Sequence, residues 1–159
     1  MDPVRSSLSG GVVATAVLAG FLVGVDLLFS GADVFAFTAF TTPCALVGQP
    51  YCAAGSATAS ALTTTWFLAL FVLAWPLLFA GFTWGLPGES GATHGAIFGL
   101  VLFAGYLARG LSAMGPGRTV VVLVGLAYLV YGLVLGVVYD RLAGHRTLLE
   151  TESVAGTGD

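Results

Sequence analysis

Four long apolar stretches, separated by shorter and more polar segments, dominate the pattern along the chain. They cover about 11–29, 62–82, 94–114 and 119–139. A helix needs about 20 mainly apolar residues to cross the roughly 30 Å hydrocarbon core of a bilayer, and its backbone polar groups must be bonded within the segment. The pattern therefore predicts an all-α integral membrane protein, a four-helix bundle whose membrane domain covers 1–141.

The segments between these stretches differ in character. The part ADVFAFTAF (32–40) is too short to span, so we expect a short interfacial segment between helices 1 and 2. Pro87 and Gly88 end the second helix. The turn around Gly115-Pro116-Gly117 makes helices three and four antiparallel neighbours. The polar residues 142–159 predict a disordered C-terminal tail.

Composition narrows the class of protein. The chain is 57% hydrophobic and only 8% charged, whereas a soluble domain carries about 25% charged residues. A soluble enzyme, a nucleic-acid binder and a disulfide-stapled secreted domain are excluded. The expected partners are the lipid bilayer and either a second copy of the chain or a larger membrane complex, and no nucleic acid. The acidic, lysine-free composition fits a high-salt or high-GC origin, and codon bias alone explains it as well.

The arginines indicate an orientation in the cell membrane. Arg5, Arg141 and Arg146 would share one side, against Arg109 and Arg118 on the other, which favours both termini in the cytoplasm. Arg5 and the small residues 30–32 also suit a signal peptide, but a run of nearly 20 apolar residues that includes an acid favours a retained span.

Two cysteines lie in the loop that this orientation places outside. Cys44 and Cys52 are eight residues apart; Gly48 and Pro50 lie between them, and Pro43 comes directly before Cys44, so turns that would close the loop are expected. An oxidising exterior would favour a disulfide between them. The alternative is a pair of inert buried thiols.

Glycines four residues apart recur in three of the four helices. The pairs are Gly20 and Gly24, Gly95 and Gly99, and Gly132 and Gly136. Because residues four apart share a helix face, such pairs allow two membrane helices to approach closely. We expect helix-packing faces within the bundle, and the alternative is one face left over for an oligomer partner.

Aromatic residues and one proline indicate how deep the helices lie in the membrane and where the second helix bends. Trp66 and Trp84 are 18 residues apart, about 27 Å along a helix, which suits the two interfacial belts. Pro76, next to Trp75, predicts a kink at mid-span. Tyr106, Tyr128 and Tyr131 place hydroxyl groups within the apolar layer. Buried hydroxyls need hydrogen-bond partners, and we expect these partners on neighbouring helices; the alternative is a quinone-like or sterol-like ligand.

Residues that could carry chemistry are few. His94 opens the third helix, but a haem site would need a second histidine at matching depth, and His145 lies in the polar segment. Two cysteines without a nearby histidine do not make a zinc site. No nucleophile elbow, phosphate loop or zinc-protease helix is present. We therefore predict no catalytic, cofactor-binding or metal site and no cofactor.

Asp26 and Arg109 are the two charged residues inside the apolar stretches, each near the end of its stretch. Both would approach the same face of the membrane, because odd-numbered spans run in the same direction. Since a charge at mid-membrane is costly and usually finds a partner, we expect an intramembrane ion pair if helices one and three are adjacent. The alternative is that each side chain reaches water separately.

The last two helices resemble those of an uncharacterised family of small four-helix membrane proteins. The similar stretches are HGAIFGLVLF (94–103) and LAYLVYGLVLGVVYDRL (126–142), with ADVFAFTAF matching the family's short amphipathic stretch. His94 stands where the family would have arginine, and Tyr128 where it would have histidine. The resemblance implies the four-helix topology and no activity.

Three classes of function are compatible with this pattern. The glycine faces favour a non-enzymatic accessory or scaffold protein that acts through helix packing. A small oligomeric transporter or channel is the first alternative and would need a polar stripe along one helix face. A lipid- or quinone-linked membrane enzyme is the second and would need several polar residues at one depth.

Overall fold

A computed structural model describes residues 3–29, 57–85, 90–113 and 117–155. Within these ranges the side chains of 3, 84–85, 109–113 and 143–155 are not described. The helices are α1 (Pro3–Leu28), α2 (Ala57–Leu68), a π-helix (Ala69–Ala74), α3 (Trp75–Gly85), α4 (Gly91–Ala113) and α5 (Arg118–Ala155). α2, the π-helix and α3 follow one another without a gap and form one continuous second helix.

The all-α, four-span prediction is confirmed in the part of the chain that the structure describes. Four helices are long and apolar enough to cross a membrane, at Val4–Leu28, Ala57–Thr83, Gly91–Ala108 and Arg118–Leu142. Their arrangement is consistent with a four-helix bundle. The molecule is therefore a membrane protein by length and composition of its helices.

Helix ends extend beyond the apolar stretches. α1 begins at Pro3 rather than near Gly11, which suits proline because the first helical residue needs no N–H bond. α4 begins at Gly91, where the Ser90 carbonyl accepts bonds from the N–H groups of Thr93 and His94 at 3.1 and 3.2 Å. The backbone of α5 continues as a helix to Ala155. The division into a membrane domain at 1–141 and a disordered tail at 142–159 stays a prediction.

α5 lies between α1 and α4 and contributes more buried hydrophobic residues than any other described helix. It packs along both neighbours, whereas α3 packs chiefly against α1. The core is rich in aromatic and aliphatic side chains that are fully buried, and they include Leu18, Phe71, Phe79, Val124, Tyr128, Tyr131 and Leu135. In a membrane this packing is stabilised by van der Waals contact. The hydrophobic effect adds little, because lipid tails are as apolar as the side chains of a neighbouring helix.

The outer faces of the helices are apolar. Leu27 and Leu28 are about four-fifths exposed, and Val23 and Val122 are 60% exposed. A water-soluble domain would carry charge at such positions. Here these side chains lie where the acyl chains of a bilayer would contact them, which agrees with four membrane spans.

Candidate functional site

α4 and α5 meet through glycines, in an antiparallel contact of backbone against backbone. A Cβ on Gly95 would collide with the carbonyl of Gly132, and a Cβ on Gly132 with the carbonyl of Gly95. A Cβ on Gly99 would lie 2.5 Å from the Tyr128 carbonyl oxygen, and one on Gly136 would collide with the Gly91 carbonyl. No larger residue fits at these positions without displacing a backbone.

The third glycine pair has different surroundings. Among the described residues, nothing lies within 4 Å of a Cβ built on Gly20 or Gly24. Ala16, one turn earlier, is also exposed. These three small residues form a strip on the outward side of α1, away from the buried Leu18 and Leu22.

Other glycines of α1, which the sequence reasoning missed, do lie in the bundle. A Cβ on Gly10 would lie 3.2 Å from a methyl group of Leu135, and one on Gly11 would collide with the ring of Pro76. The available signal was the series Ser7, Gly11 and Thr15, small residues at four-residue spacing.

The second helix changes its winding at mid-span. Over Ala69–Ala74 it is a π-helix, and at its end the Trp75 N–H bonds the carbonyl of Leu70, five residues earlier. Pro76 follows directly and has no N–H to donate. Single π-helical turns are rare and occur frequently at functional sites, so this junction is the most unusual backbone feature of the described chain.

Hydroxyl groups from two other helices bond to the carbonyls at this junction. The Tyr131 hydroxyl of α5 donates to the Phe71 carbonyl at 2.6 Å. The Ser7 hydroxyl of α1 donates to the Pro76 carbonyl. Both side chains are fully buried, so the junction is braced from two sides in the interior of the bundle.

Aromatic rings surround the same junction. The Phe71 ring lies 4.6 Å from that of Phe67 and meets Tyr131 edge-on at 4.9 Å, between ring centroids. It also stacks near Tyr128 at 6.1 Å. Such pairs contribute about 0.5–1.5 kcal/mol each beyond the area they bury. Two of the three tyrosines that the sequence singled out, Tyr128 and Tyr131, therefore lie against the π-helix of the second helix.

Tyr106 differs from the other two tyrosines. Its side chain is only 3% exposed, and its hydroxyl has no hydrogen-bond partner among the described residues. The same is true of the indole N–H of Trp66. Tyr106 contacts Tyr128 and Phe103 through its ring, with centroids 6.4 and 6.2 Å apart.

A carboxylate of α5 bonds to the backbone at the beginning of α4. Asp140 of α5 accepts a hydrogen bond from the Gly91 N–H at 2.5 Å. A carboxylate is favourable there because the first N–H groups of a helix lack partners and its N-terminus carries partial positive charge. The buried His94 places Nδ1 2.9 Å from the Ser90 carbonyl oxygen. The sequence reasoning missed Asp140, whose only signal was an acid at the end of an apolar stretch.

The remaining predicted site residues lie partly outside the described residues. Cys44 and Cys52 lie outside them, and so does the side chain of Arg109. Asp26 is exposed near the end of α1. The disulfide and the ion pair stay predictions, and α5 stands between the two helices that would carry the pair.

The described residues contain no group of three or more His, Cys, Asp or Glu side chains that could hold a metal ion. The junction has an open apolar groove of about 380 Å³, lined by Thr65, Leu68, Ala69, Val72 and Leu73. Three described polar side chains, those of Ser7, Tyr131 and Asp140, bond to the backbone of another helix. The hydroxyls of Thr15, Thr63 and Thr83 bond to carbonyls of their own helix.

Comparison with known proteins identifies a family. The model of a family of unknown function, DUF6789, matches residues 1–150. No curated protein and no solved structure matches the chain.

Proposed function

The chain belongs to this family of unknown function, and we propose that it is a non-enzymatic accessory protein that binds a partner membrane protein through the small-residue strip of α1. The strip is Ala16, Gly20 and Gly24. The observation that carries the proposal is the contrast between this strip and the other two glycine pairs, which are occluded by backbone.

The strip has the shape that a second transmembrane helix requires. Small residues at four-residue spacing let two helix backbones approach closely, which is a principal source of helix association in lipid. Valines and a leucine border the strip and are exposed to contact with a partner; they are Val13, Val17, Val23 and Leu27. The partner is therefore expected to be a helix with small residues of its own.

Bonding inside the bundle supports a structural role. The buried hydroxyls of Ser7 and Tyr131 donate to carbonyls of the second helix, and the carboxylate of Asp140 accepts from α4. Each of these groups stabilises a helix contact. A bundle whose helices are bonded to one another and whose α1 carries an open small-residue strip is what an accessory subunit needs.

The test is purification from native membranes in a mild detergent, comparing the wild type with the variant Gly20→Leu, Gly24→Leu. We expect a stoichiometric partner protein with the wild type and at least a tenfold loss of it in the variant. The matched control is Gly81→Leu, because Gly81 is an exposed glycine of α3 with equally open surroundings. Gly81→Leu should retain the partner.

Other outcomes would count against the proposal. A homodimer with bound solute would favour a small oligomeric transporter. Retention of the partner by the α1 variant, or equal loss from both variants, would show that the strip is not the binding face.

A further inference from the structure

The junction in the second helix leaves one carbonyl without a helical donor. In the π-helix each N–H bonds a carbonyl five residues earlier, and the Trp75 N–H bonds Leu70 in this way. The next carbonyl in the series, that of Phe71, would need the N–H of residue 76. Residue 76 is proline, which has none.

Tyr131 supplies the missing donor from another helix. Its hydroxyl reaches the Phe71 carbonyl oxygen at 2.6 Å, across 60 residues of sequence. Both side chains are fully buried, and an unbonded carbonyl in the interior of a membrane bundle is costly because no water can reach it. The π-helical winding therefore depends on a hydroxyl that is not part of the helix.

An ordinary α-helical winding would distribute the bonds differently. The Trp75 N–H would then bond Phe71, four residues earlier, and the Tyr131 hydroxyl would no longer be needed there. The carbonyl of Val72 would instead lack its donor, because Pro76 lies four residues after it. Proline thus leaves the Phe71 carbonyl without its helical donor in the π winding and the Val72 carbonyl without its helical donor in the α winding.

We propose that the second helix is a two-register switch, and that the hydrogen bond from the Tyr131 hydroxyl to the Phe71 carbonyl holds it in the π register. Loss of that bond converts the π-helix to an α-helix. The conversion turns α2 relative to α3 by one residue, about 100° of rotation and 1.5 Å of rise.

The contacts of α2 and α3 indicate which of the two helical segments turns. α3 is held by the Ser7 hydroxyl on the Pro76 carbonyl and by the Pro76 ring against Gly11. Among the described residues α2 packs mainly against the adjoining π-helix, and an open apolar groove lies along its outer face at the junction. Rotation of α2 would expose Phe67, now 2% exposed, and bury Leu68, now 47% exposed.

The switch is tested by the distance between spin labels on α2 and α5. Labels are placed at the exposed Thr64 and Val122, after Cys44→Ser and Cys52→Ser. Tyr131→Phe should add a second distance to the distribution, displaced by several ångströms, because a 100° turn moves a side chain at the helix surface by up to about 8 Å.

The matched control is Tyr106→Phe, which removes a buried hydroxyl that has no partner among the described residues. It should leave the wild-type distance unchanged. A distribution for Tyr131→Phe that coincides with the wild type overturns the proposal. An equal change in both variants overturns it as well, since loss of any buried hydroxyl would then loosen the bundle.

A second variant keeps the proposal testable if Tyr131→Phe does not fold. Deletion of Ala69 removes the surplus residue of the π-helix, so that an α-helical winding leaves α2 and α3 in their present relative orientation. In this background Tyr131→Phe should fold and should not change the melting temperature. Failure of the deletion variant to fold, or an equal effect of Tyr131→Phe in both backgrounds, overturns the proposal.

Discussion

Ser7, Tyr131 and Asp140 each form a hydrogen bond between their side chain and the backbone of another helix. Ser7 and Tyr131 donate to carbonyls of the second helix, and Asp140 accepts from the first N–H group of α4. Hydrogen bonds between membrane helices contribute about 0.6 kcal/mol on average and up to about 1.7 kcal/mol. Asp140 adds charge to such a bond, because it lies at the N-terminus of α4. At the scale of residues, these groups join helices.

Replacing Asp140 tests this contribution. Asp140→Ala should lower the free energy of unfolding by about 1 kcal/mol, because the Gly91 N–H loses its acceptor and the N-terminus of α4 loses a favourable charge. Asp140→Asn retains an oxygen acceptor and should lose less. Thermal melting in detergent measures both, and equal melting of the alanine variant and the wild type would contradict the role assigned to the carboxylate.

At the scale of helices, the same glycine spacing has two surroundings in this chain. The α4 and α5 pairs face each other's backbone, whereas the α1 pair faces outward. The spacing alone does not distinguish them, because it describes one helix and the contact needs two. The bundle uses Gly10 and Gly11 for α1 instead, and the outward pair becomes the basis of the proposed partner surface.

Alanine substitutions should destabilise the protein where a glycine meets a backbone and should not do so where a glycine has open surroundings. In Gly132→Ala the new methyl group would collide with the Gly95 carbonyl and lie 3.0 Å from the Gly99 Cα, so we expect a loss of about 1–3 kcal/mol from overpacking. Gly81→Ala, in open surroundings, should be neutral or slightly stabilising because alanine favours helix over glycine. Melting in the same detergent compares them; indistinguishable losses would argue against a backbone contact between α4 and α5.

At the scale of the whole molecule, the contacts place one set of helix ends together. Gly10 of α1 lies beside Leu135, and the start of α4 lies beside Asp140 of α5. The first turns of α1 and α4 and the later part of α5 therefore share one side of the bundle. The arginine distribution predicts that this side faces the cytoplasm.

Thiol labelling of intact cells tests the orientation. With both termini in the cytoplasm, the loop that carries Cys44 and Cys52 faces outward, so both thiols should react with an impermeant reagent after reduction. Comparison with unreduced cells shows whether they are bonded to each other. Reaction of both cysteines only after lysis would reverse the orientation.

The candidate site was only partly predictable from the sequence. Tyr131, Pro76 and the buried hydroxyls could be identified as notable, because polar groups and proline stand out in an apolar helix. Their pairing could not. Tyr131 and Phe71 are 60 residues apart, and Gly91 and Asp140 are 49 apart, so each bond depends on how two helices are rotated and aligned against each other.

The apolar pattern was enough to predict that the described part of the chain is all-α, with four helices long and apolar enough to span a membrane. That property is local, since lipid requires each span to satisfy its own backbone and to be about 20 residues long. Three features became visible only in the folded bundle. α5 lies between α1 and α4, certain glycines meet a backbone, and a hydroxyl from α5 bonds to a carbonyl of the π-helix. These depend on neighbour order and helix rotation, and the apolar pattern leaves both undetermined because every face of a membrane helix is apolar.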